Sequence, residues 1–153
     1  MLLIQLAIIL VYGGLSYLIV TPWTTWVWLV VGLIMGWLLL FLDDLSLHRF
    51  YLDRTQLDQR PRPLISRSLL FLIAFVPLSL FVVTSSGSLI GGGMVISMAV
   101  VYMSELLLHK NNPQVFAQKF LWQTRSELKQ NERNLLSWSS VVLVALLMLL
   151  SLF

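Results

Sequence analysis

Cysteine is missing from this 153-residue chain, which excludes disulfides, thiolate metal sites and cysteine nucleophiles. Charge is scarce: Asp, Glu, Lys and Arg make up 11% of the residues, against about a quarter in ordinary soluble domains. Histidine occurs only at positions 48 and 109, so the serines of the apolar stretches have no third histidine with which to build a triad. Charge is also confined. Every Lys, Arg, Asp and Glu lies in one of two windows, 43–67 or 105–133. The first window holds five bases and four acids, the second five bases and three acids. So mixed a distribution, at a net charge of +3, lacks the dense basic stripe of a nucleic-acid footprint, and no nucleic-acid partner is expected.

What remains is apolar. Hydrophobic residues make up 58% of the chain and mean hydropathy is +0.87. Five apolar runs, at about 2–20, 23–42, 64–84, 89–108 and 136–153, approach the roughly 20 residues that cross a hydrocarbon core as helix. The expected fold is therefore all-α: a polytopic membrane helix bundle of about five transmembrane helices, forming one integral membrane domain.

The first run lacks a basic n-region and a small-x-small cleavage site, so it reads as a retained helix and not a cleaved signal. Thr21-Pro22 ends it, and Trp23, Trp26 and Trp28 then mark an interface. The second run carries Gly32-x3-Gly36, a spacing that lets helix backbones approach closely. Pro77 sits near the centre of the third run and implies a bend there, static or hinged. Gly91-Gly92-Gly93 opens the fourth run. No Lys-Ser/Thr follows it, so close packing explains the glycines better than a phosphate loop does.

Segments 43–63 and 109–135 read as interfacial. The first is expected to stop at Pro61 and Pro63, which lack the backbone N–H. In the second, Asn112-Pro113 supplies an N-cap and a first-turn proline. Phe116, Phe120 and Trp122 suit a short interfacial helix, and Thr124-x2-Glu127 suits a capping box for the next one. Nine of the ten Lys and Arg fall in these two connections and the tenth, Arg67, lies just past the first, so the positive-inside rule places both in the cytoplasm, with the N-terminus inside and the C-terminus outside. In a bacterium the membrane would be the inner one.

The two connections share a motif. Asp44-Leu-Ser-Leu-His48-Arg49 and Glu105-Leu-Leu-Leu-His109-Lys110 lie 61 positions apart, and at that offset Gly32 aligns with Gly93 and Phe41 with Tyr102. The pattern suggests a parallel duplication of a two-helix unit, followed by a fifth helix, with both motifs at one depth. On a helix, residues four apart share a face. Asp44 with His48, and Glu105 with His109, would thus each present a carboxylate and an imidazole, with Asp43 nearby.

Converging, these groups suit zinc, manganese or non-haem iron. Bis-histidine haem ligation would leave the carboxylates unused. Equally, a base at a helix C-terminus answers the dipole without any ligand. Arg60, Arg62 and Arg67 suit anionic lipid headgroups. The expected role is a non-catalytic accessory or scaffold subunit. It would pack through glycine-rich faces against the bilayer, a second copy or another membrane protein. A divalent-metal binder or transporter, or a metal-dependent membrane enzyme, is the alternative. The lack of ionisable groups at mid-membrane argues against a pump for charged cargo.

Overall fold

The computed structural model describes residues 2–19, 23–43, 66, 68–121 and 128–151. Asp44, His48, Arg60, Arg62, Arg67, the prolines at 61 and 63 and the Thr124-x2-Glu127 box lie outside them. Helix is the only regular structure among the described residues, which hold no strands. In chain order the helices are α1 (Leu2–Ile19), α2 (Trp23–Leu42), α3 (Leu69–Ser85), α4 (Leu89–His109), α5 (Pro113–Phe120) and α6 (Gln130–Leu150). Two of them, α4 and α6, are long and apolar enough to cross a membrane. The apolar stretches Leu3–Ile19, Trp26–Leu42 and Leu69–Ser85 fall short of that length.

Local chemistry sets the helix starts. Ser68 accepts from Phe71 N–H at 3.2 Å and begins α3 at Leu69, later than the expected 64. Pro77 is exposed and leaves α3 unbroken. Gly87, at φ 58°, turns the chain between α3 and α4 in the left-handed region that a side chain would disfavour. Asn112 caps α5 by accepting from Val115 N–H at 3.3 Å, with Pro113 in the first turn. At α6 the expectation shifts. Leu128 and Lys129 are not helical, so no helix started at Thr124 runs unbroken into α6. The start lies at Lys129, whose N–H donates to the Glu132 carboxylate at 2.8 Å.

The bundle is arranged around α4. Its buried residues run almost without a gap from Gly92 to Leu106, an all-round burial that marks a central helix. The other long helices pack around it and show apolar side chains outward, including Leu3, Leu10 and Leu18 on α1, Ile73 and Phe81 on α3, and Val142 and Leu149 on α6. Contacts fix the directions. Gln5 of α1 donates to Ser104 of α4 at 2.6 Å, Val82 of α3 lies beside Gly91, and Ser137 of α6 donates to Leu106 O at 3.1 Å. Thus α1, α3 and α6 run antiparallel to α4, whereas α2 runs parallel to it.

Candidate functional site

That alternation gathers the charge. Among the described residues, Asp43, Glu105, His109, Lys110, Lys119, Lys129, Glu132 and Arg133 all lie toward one end, where α2 and α4 finish and α3 and α6 begin. The opposite end carries Trp23, Trp28 and a serine-rich turn. At the charged end Ser66 donates to Asp43, joining the end of α2 to the approach to α3.

Arg133 is the anchor on the other side. Only 7% exposed, it donates from Nε to Lys110 O at 3.0 Å, from a terminal nitrogen to Leu128 O at 3.0 Å, and to the Gln130 side chain. Its guanidinium fork thereby answers a carbonyl left open at the end of α4 and holds the start of α6 against it. Ser137, one turn on, bridges Leu106 O and Arg133 O. The sequence shows Arg133 as one base among five; its role depends on a neighbour 23 residues away.

Glu105 and His109 stand one turn apart on α4. Glu105 is fully buried. His109 is half-buried, and its Nε2 lies 3.1 Å from the Lys119 side-chain nitrogen of α5. Asp43 is engaged with Ser66. Among the described residues no three of His, Asp and Glu converge as a metal-holding group. The other half of the expected ligand set, Asp44 and His48, lies outside the described residues.

The aromatic face of α5 turns inward. Phe116 and Phe120 are buried against Leu106 and Leu121, with Leu69, Leu72, Leu128 and Leu136 packed around them. The short helix therefore closes the charged end of the bundle with its own apolar face.

Below that plug, α4 has two unlike sides. Toward α2 the backbones touch. A Cβ on Gly32 would stand 2.9 Å from Ile90 Cα, and one on Gly93 would stand 2.9 Å from Leu33 N and 3.2 Å from Gly32 C. Gly36 meets Met94 O and Ser97 Oγ as closely. Positions 61 apart thus face each other, Gly32 with Gly93 and Gly36 with Ser97, and the Gly32–Ile90 contact has its counterpart in Gly93–Leu29. Toward α3 and α6 there is space instead. An apolar cleft of about 380 Å³ lies between these two helices. Its floor is Phe75, Ala99, Tyr102 and Leu106, and Phe116 and Phe120 border it.

No family model, curated protein or solved structure matches the chain.

Proposed function

We propose that the chain is a five-span membrane protein that acts as a non-catalytic accessory or scaffold subunit. One observation carries the membrane part of this reading: a central helix wrapped by helices that direct many large apolar side chains outward. Isolated exposed apolar residues are ordinary, but contiguous patches of this kind are rare on soluble monomers. Up-down alternation with described charge toward one end supports spans at α1, α2 and α3 as well as α4 and α6. A 17-residue stretch reaches ~26 Å at 1.5 Å per residue. That falls slightly short of a ~30 Å hydrocarbon core, a mismatch that bilayers absorb by thinning. The charged end is cytoplasmic on the positive-inside rule, with the N-terminus inside and the C-terminus outside.

Paired contacts at an offset of 61 support two copies of one helix pair, α1–α2 and α3–α4, with α6 added. The self-complementary form of the contact is that of a two-fold interface. The glycines of this seam serve the chain's own packing, so a partner meets other surfaces. On α1, Gly14 is exposed and a Cβ there would meet nothing within 4 Å. The partner is a second copy or another membrane protein seated on that side. The test is association in mild detergent, measured by light scattering and by cross-linking in membranes. Gly14→Leu is expected to weaken association while thermal unfolding stays unchanged. Association that survives Gly14→Leu would remove α1 from the interface.

A second reading has one observation in its favour. Glu105 is fully buried, and an ionisable group within a membrane helix commonly marks a site. With His109, and with Asp44 and His48 from the other motif, Glu105 would bind a divalent zinc, manganese or iron ion for transport or catalysis. Elemental analysis of tag-free protein decides it. Near-stoichiometric metal that is lost in a His48→Ala/His109→Ala variant supports this reading; metal-free protein after supplementation rules it out.

A further inference from the structure

The cleft between α3 and α6 opens sideways. Its rim is exposed and apolar, formed by Ile73 and Val76 on α3 and by Val142 and Leu146 on α6, while its floor is the buried wall of α3 and α4. Water is a poor occupant. The two serines of the lining, Ser139 and Ser140, already donate to their own helix, to Leu136 O at 2.9 Å and to Ser137 O at 2.6 Å. A buried water needs two to four polar partners. Tyr102, which also lines the cleft, packs its ring edge-on with Phe75 at 5.2 Å and Phe71 at 6.1 Å. An unfilled void would forfeit the dispersion contacts that hold a packed interior together. At about 380 Å³ the space is small for a ligand site, sized for one chain and not for a folded segment.

One turn past the lining residue Leu106, at the charged end of α4, stands a cation. The Lys110 ammonium lies 5.4 Å from the centre of the Trp138 ring. Trp138, one turn before the rim residue Val142 on α6, is itself exposed. An indole and an ammonium at the charged end of an apolar groove match the depth at which a lipid's phosphate meets its chains. Arg133, the next base along α6, is committed to Lys110 O, Leu128 O and Gln130.

We propose that the cleft between α3 and α6 holds one acyl chain of a glycerophospholipid whose phosphate is met by Lys110 beside Trp138. The chain enters laterally from the bilayer, fills the space over Ala99 and Tyr102, and ends the headgroup at the level of α5. The inference rests on the membrane reading but not on the accessory role. Lipid loss with association intact would leave that role standing, and the converse would leave the cleft standing.

The test is native mass spectrometry of the full chain, extracted in mild detergent and exposed to vesicles of palmitoyl-oleoyl phosphatidylglycerol. One phospholipid adduct per chain is expected to persist through delipidating washes. Val76→Trp combined with Val142→Trp, both at exposed rim positions, narrows the entrance; the adduct should fall to background while thermal unfolding holds. Lys110→Gln should weaken retention about fivefold, the weight of one lysine near an anionic headgroup. Three results would each overturn the proposal: no adduct on the wild type; an adduct that the rim variants leave unchanged, as annular lipid would be; or a fatty-acid adduct indifferent to Lys110→Gln.

Discussion

The two sides of α4 solve one packing problem in opposite ways. Toward α2, small residues coincide on both helices and the backbones meet at Gly32, Gly36 and Gly93, with the Ser97 hydroxyl against Gly36. Toward α3 and α6, aromatic residues hold the helices apart: Phe71 and Phe75 stack with each other and meet Tyr102 edge-on, and a cleft remains. In a bilayer, lipid tails are as apolar as the side chains they would replace, so helices gain little from hiding apolar surface from one another. Close backbone contact supplies dispersion that lipid cannot match. Where bulk prevents it, lipid competes on equal terms. The seam is therefore the framework, and the cleft is the looser side of the bundle.

The sharpest way to break this contrast is Gly93→Leu. Its Cβ alone would sit against the α2 backbone, which cannot rotate aside as a side chain can. A loss of about 3 kcal/mol or more is expected, enough to leave no folded peak in size exclusion. Next comes Arg133→Met, which keeps the apolar stem and removes every donor. Unsatisfied carbonyls at Lys110 and Leu128 should cost about 2 kcal/mol and lower the unfolding midpoint. Ala99→Val should cost under about 1 kcal/mol, because the added methyls enter the cleft and not a backbone. Smallest is Gly92→Ala. Next in sequence to Gly93, it has nothing within 4 Å of its would-be Cβ, so helix propensity alone should make the variant up to about 1 kcal/mol more stable. Opposite signs at neighbouring glycines would sharpen the comparison. Equal losses would mean that backbone freedom, and not the seam, is what these glycines provide.

Part of this was readable in the chain. Apolar runs separated by Thr-Pro, Ser-Gly and Asn-Pro punctuation pointed to the helices, and Asn112 caps α5 as its pairing with Pro113 implies. Close packing was legible at Gly32 and Gly93, because small residues at helical spacing have few other uses in a membrane helix. What they pack against was not: the glycines face one another inside the chain and do not point to a partner. The inward turn of Phe116 and Phe120 escaped notice because an amphipathic face reads the same whether it meets lipid or protein. His109 stood out as one of two histidines, yet its Lys119 partner sits ten residues away on another helix, where no local pattern points to it. The cleft left no mark, since a void is a property of three helices at once.

All of this depends on a bundle that crosses the membrane with its charged end on one side, and the missing cysteine makes that directly measurable. Single cysteines at Ser86, in the uncharged turn between α3 and α4, and at Asn111, beyond the end of α4, would be challenged with an impermeant maleimide in intact cells and again after lysis. Ser86→Cys should react in intact cells, and Asn111→Cys only once the membrane is opened. Labelling of both positions from the same side would contradict the spanning of α4 and, with it, the five-span account.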